Sequence, residues 1–128
     1  MTDTMRLCIS LMQDAQIKRL IVVTAAGSGD SFPELPLFLR LVIKNTKMRY
    51  TYNDHTAQEA LIKKSGLDWT IFRPMGLTNS QKIKSPIFTV HNTPKPTWWI
   101  SRRHVAKIIL DSIYQADTIG RCIILSEK

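Results

Sequence analysis

Four consecutive apolar residues, Leu20 to Val23 in "KRLIVVTAAGSGDS", set the tightest limit on the fold. Three of them are β-branched, and the run closes on Thr24 and a loop of small residues. An apolar run without alternation predicts a strand covered on both faces, the condition of strands in parallel sheets. Such a sheet needs helices above and below it, and the rest of the chain must supply them.

Residues 4 to 16 place Met5, Cys8, Ile9 and Met12 at i, i+3, i+4 and i+7, which predicts a helix with one buried stripe, capped by Thr2 or Asp3. Pro33 and Pro36 bracket a turn, and "LFLRLVIKNTKM" is compatible with helix or strand. Arg40, Lys44 and Lys47 on one helical face, with Leu39, Val42 and Ile43 on another, favour helix. Asp54 or Thr56 starts a further helix with Ala57, Ala60 and Leu61 inward; Thr56-x-x-Glu59 matches a capping box and Ser65-Gly66 ends it. The strand "DWTIFR" follows, stopped by Pro74, which lacks a ladder donor. "PIFTVHN" reads as a short strand or extended segment. Ser101 caps a helix with Val105, Ile108, Ile109, Ser112 and Ile113 inward, and Gly120 precedes a last strand, "RCIILS". This alternation indicates an α/β fold with a doubly wound parallel sheet, in one domain spanning residues 1–128.

The net charge of +8 favours an anionic partner, but the 18 basic residues are scattered. Nucleic-acid binding asks for a basic face interleaved with aromatics, and Trp98, Trp99, Arg102 and Arg103 come nearest; a solvated basic surface is the preferred reading. Cys8 and Cys122 form no CxxC pair or Cys/His cluster, which predicts two buried reduced thiols and no metal site. No apolar run approaches the ~20 residues that cross a bilayer. The start "MTDTMRLCISLMQDAQ" lacks the pattern of a secretion signal, so a cytoplasmic location is expected.

The blocks "IKRLIVVTAAGSGDS", "AQEALIKKSGLDWTIFRPMGL", "ISRRHVAKIILDSI" and "IGRCIILSE", in that order, resemble the C-terminal part of an atypical short-chain dehydrogenase/reductase. The similarity is greatest to the NAD(P)H-binding group that includes the NmrA-like proteins and the flavin reductase also called biliverdin reductase B. The resemblance implies a partial Rossmann-like sheet, NADP or NAD as cofactor, and reductase activity when the full fold is present. It implies that Thr24, Ala25 and Ala26 lie against the nicotinamide and that Pro74, Met75, Gly76 and Leu77 approach it with their backbone. That placement agrees with the general rule that open α/β sheets bind ligands beyond the carboxyl ends of their strands.

Departures from the family pattern bear on activity. A Gly-rich turn that cradles pyrophosphate belongs after the first strand of such a fold. Gly27-x-Gly29-x-x-Phe32 lacks the third glycine and follows a later strand, so it reads as a plain loop. At roughly 30 residues per βα unit, two or three N-terminal units of the family fold have no counterpart here. Counting back from Glu59, the family's Tyr and Lys places fall at Thr51 and His55, and its strand-end Ser place at Thr24 or Ala25. Tyr50 or Tyr52 substitutes only by a register shift, which leaves Thr24, Tyr52 and His55 as the candidates for proton transfer; cofactor-only hydride transfer needs none of them. Arg73 either touches a cofactor phosphate or, preferably, packs along its strand with its head in solvent. His104 is expected at the surface or in a cap, and Trp98 and Trp99 over the sheet end, one of them lining a substrate pocket.

Without the first strands of the family fold, the strand at Leu20–Val23 has a bare edge, and bare apolar edges recruit other chains. The expected outcomes are a homodimer through that edge or face, an exchange of elements with a partner, or a segment of a longer product. Three functions follow: an NAD(P)H-dependent oxidoreductase, a non-catalytic remnant or dinucleotide-sensing regulatory module, and a basic nucleic-acid-binding protein.

Overall fold

Apolar periodicity and strand runs alternate along residues 1–128, all of which the computed structural model describes. The elements are α1 (Thr2–Asp14), β1 (Arg19–Val23), α2 (Leu37–Asn45), α3 (Met48–Lys63), β2 (Asp68–Pro74), β3 (Gly76–Thr78), β4 (Pro86–Thr89), β5 (Trp99–Ser101), α4 (Arg102–Ser112) and β6 (Arg121–Glu127). Short 3₁₀ turns cover Gly29–Glu34 and Ala116–Thr118. The main sheet has the order β1-β2-β6-β4. β1, β2 and β6 are parallel and β4 runs antiparallel to β6, while β3 and β5 form a separate parallel pair.

Side-chain alternation along the strands divides the core into two layers. Val22 and Ile71 point to one face, where Ile9 of α1 and Ile62 of α3 cover them. Phe72, Ile123 and Leu125 point to the other, under Val105 and Ile108 of α4. Ile62, Ile71, Phe72, Ile100 and Leu125 are fully buried, and burial of each such side chain contributes about 1.5–3 kcal/mol relative to exposure. At the amino ends of the strands, Arg19 gathers five acceptors. Its guanidinium donates to the Asp68, Ser112 and Ile113 carbonyls and to the Thr70 and Thr118 hydroxyls, locking the last turn of α4 to β1 and β2.

Several expectations change. β1 is covered on one face only in part, since Val23 is 40% exposed. Thr2 and Asp3 lie inside the first turn of α1 rather than capping it: the Thr2 hydroxyl bonds to Asp54 and Asp3 pairs with Arg6. α3 begins at Met48, so Thr56 and Glu59 are mid-helix and form no capping box. There the Thr56 hydroxyl donates to the Tyr52 carbonyl. Cys8 is exposed and Cys122 half-buried, because Cys8 falls on the outer flank of α1. No helix is long and apolar enough to cross a membrane.

Candidate functional site

Parallel strands that end together deliver their following loops to one place. The Thr24 N–H donates to the Phe72 carbonyl at 2.9 Å and Ala26 N–H to Pro74 at 3.1 Å, so the loop after β1 stays fastened to the end of β2. Met75 N–H donates to Leu125 and Gly76 N–H to Trp98, both at 2.9 Å, which turns the loop after β2 the other way. A cavity of about 400 Å³ opens between them. Thr24, Ala25 and Ala26 line one side, Pro74, Met75, Gly76 and Leu77 the other, with Leu35, Leu39, Tyr52 and Arg102 closing it. A side chain at Gly76 would place its Cβ 2.5 Å from the Trp99 ring and 2.9 Å from the Trp98 carbonyl oxygen, so only glycine permits this approach. A smaller compartment of about 240 Å³ shares Ala26, Leu35 and Met75 and adds Trp98 and Lys95. The Trp98 ring in turn packs against Phe38, with centroids 6.2 Å apart.

Of the three candidates for proton transfer, Thr24 and Tyr52 meet in this cavity and His55 does not. Burial pushes the Tyr52 phenol above its ordinary value of about 10, so it holds its proton at neutral pH. The chain crosses beside it at Gly27, whose φ of +95° and Cβ-free surface let the loop lie against Leu35 and the Tyr52 ring. Thr51 is exposed, and the buried Nδ1 of His55 has no hydrogen-bond partner.

Arg73 is neither solvent-facing nor part of the cavity. Its Nε donates to Glu59 Oε1 at 3.0 Å and its Nη2 to Glu59 Oε2 at 2.6 Å, with a further 2.6 Å contact to Asp30 Oδ1. The Thr24 hydroxyl donates to the same Glu59 Oε1 at 2.8 Å, so the cavity wall connects directly to this pair. Burial works against the guanidinium charge, but the hydrogen bond and charge of Glu59 and the hydrogen bond to Asp30 help to outweigh it and raise the Arg73 pKa above its usual range. Asp30 is likewise opposed by its partial burial, yet the Arg73 hydrogen bond and charge hold it below the ordinary carboxylate value. Gly29, at φ +57°, packs on the pair, where a Cβ would lie 2.6 Å from Glu59 Oε2. The two glycines of the loop thus serve packing, and the loop enters the 3₁₀ turn at Gly29–Glu34 rather than an α-helix. Thr24, Ala25, Ala26 and Gly76 leave open space between the walls, and Met75 and Leu77 add apolar contact, a shape that suits a flat ring; the loop after β1 has no helix terminus to offer phosphates. Glu59 went unrecognised in sequence because its partner lies on another element, and Leu35 because it sits in a proline-bracketed turn.

Residues 1–116 match the family described as NAD(P)H-binding. A Rossmann-fold NAD(P)-binding family protein from Shigella flexneri is 28% identical, with a TM-score of 0.65 over 96% of this chain and 52% of that one. A short-chain dehydrogenase/reductase from Veillonella parvula, solved in complex with NADP, is 22% identical, with a TM-score of 0.81 over 98% of this chain and 58% of that one. ChuY from Escherichia coli O157:H7, described as an anaerobillin reductase, is 24% identical, with a TM-score of 0.80 over 96% and 56%. The chain therefore spans little more than half of these structures. No curated protein matches it.

Proposed function

The chain belongs to the NAD(P)H-binding family, and on that premise we propose that it forms the nicotinamide side of a reductase site of the atypical short-chain type. The observation that carries this reading is the convergence of the loops after β1 and β2 on one largely apolar cavity, opened by the small residues Thr24, Ala25, Ala26 and Gly76. When bound, the reduced cofactor supplies a hydride. Ala25, Ala26 and Gly76 leave room for the ring, and Pro74 to Leu77 border it. The adjoining compartment between Met75 and Trp98 holds the acceptor. Tyr52, protonated at neutral pH as any ordinary phenol is, offers the proton from Oη. The pyrophosphate-binding half comes from a further strand set against the free edge of β1, supplied by another segment or another chain, so residues 1–128 act as one portion of a larger domain.

A second reading, dinucleotide sensing without turnover, is favoured by one observation: α3 brings Tyr52 alone to the cavity, with Thr51 exposed and His55 outside it. Calorimetric titration of NADPH and NADH into the purified chain, followed by cofactor oxidation assays with flavin and quinone acceptors, tests both. Micromolar binding that Ala25→Phe abolishes while the fold persists supports the site. Turnover selects the reductase, binding without turnover the sensor, and no binding up to millimolar cofactor overturns the site in this chain.

A further inference from the structure

A second built cluster lies at the start of α4, apart from the strand-end cavity. His104 and Glu127 side chains are each only 4% exposed, and Nδ1 stands 2.6 Å from Oε2. The carboxylate is fixed from its other side as well, since the Ser101 N–H donates to Glu127 Oε1 at 3.1 Å. The Ser101 hydroxyl oxygen accepts the His104 N–H at 3.2 Å, which caps the helix and sets the ring's base. Facing a carboxylate oxygen that accepts, Nδ1 is the donor of this pair, and the tautomer that places the proton there leaves Nε2 as an acceptor. Nε2 makes no hydrogen bond within the protein.

His104 lines a groove of about 660 Å³ between α4 and β4. Ile108 and Ile123 make its floor over the buried Phe72, and Phe88, itself 46% exposed, stands on the opposite wall. None of the residues around it borders the strand-end cavity. The volume lies within the range of about 300–1,000 Å³ typical of small-molecule sites. At the rim Lys107 and Asp111 neutralise each other, leaving Lys84 and Arg121 against Asp117, a weak field that selects no strongly charged ligand. A recessed ring nitrogen, 3% exposed as a residue, is out of reach of a flat protein surface but accessible to a compact ring.

We infer that this groove is a second ligand site, for a flat aromatic compound that packs between Phe88 and Ile123 and donates one O–H or N–H to His104 Nε2. The probes are 2-naphthol, which can donate, and 2-methoxynaphthalene, which cannot. Each is titrated into the full chain by calorimetry, with the imidazole ¹⁵N resonances followed in parallel. 2-Naphthol should saturate, move the His104 Nε2 resonance and bind about tenfold tighter than the ether, the effect expected of one hydrogen bond to a buried acceptor. Glu127→Gln allows an amide N–H to meet Nδ1, shifts the ring proton to Nε2 and should erase the preference, because the hydroxyl and the ether oxygen both accept from Nε2–H. His104→Phe should abolish the discrimination. Equal affinities, no saturation, or binding that leaves the His104 resonances in place in the unaltered chain would overturn the assignment.

Discussion

Arg73 illustrates how a buried charge at a strand end can hold a cavity wall from behind. Its fork holds Glu59, and Glu59 holds the Thr24 hydroxyl at the cavity wall. Removing one partner of a buried pair leaves an uncompensated charge, so Glu59→Ala should cost about 3–5 kcal/mol of stability, measured by urea unfolding. Asp30 is different, being 65% exposed, and its contribution is screened. Its folded pKa lies below the unfolded value of about 3.9, so its stabilisation is complete above that value and is lost as pH falls through the folded one. Urea midpoints followed downward from about pH 5 should therefore drop more steeply in the unaltered chain than in Asp30→Asn.

At the scale of elements, β3 and β5 show what a three-residue strand requires. Gly76 pairs with Trp99 across a long stretch of chain, and the fit depends on the missing Cβ. Gly76→Ala should destabilise the chain by about 1–3 kcal/mol through overpacking and weaken NADPH binding more than a remote change of equal cost. Ser101→Ala removes the α4 cap and should lower stability by about 1 kcal/mol in thermal unfolding. Neither β3 nor β5 was legible in the sequence, because such short strands have no period of their own and are defined only by each other. β1, β2 and β6 were legible because each is a continuous apolar or β-branched run ending in a small residue or proline. The first turns of α3 were not, since Met48 to Asn53 show no apolar stripe; Asp54, one turn further on, meets Thr2 and the N-terminal amine of α1. Thr24 to Ala26 and Pro74 to Leu77 could be placed at strand ends from sequence. The burial of Arg73 could not, because Glu59 and Asp30 reach it from two other segments.

For the whole molecule the deciding feature is the edge of β1. Thr24 N–H and the Lys18 carbonyl both bond toward β2, so alternate residues 21 and 23 direct their backbone groups outward. Val23→Pro removes one outward donor while leaving the β1–β2 ladder intact. If the edge recruits a strand, sedimentation velocity should show association of the unaltered chain that rises with concentration and is absent in Val23→Pro at unchanged far-UV circular dichroism.

Symmetry gives that edge a further meaning. Two identical copies joined edge to edge across a two-fold axis normal to the sheet must run their β1 strands in opposite senses. β1, β2 and β6 are parallel, and a strand of the same sense would extend that parallel run past β1. On the proposed function, self-pairing and completion of the cofactor cleft would compete for one ribbon of backbone, and the polarity of a single neighbouring strand would distinguish the two.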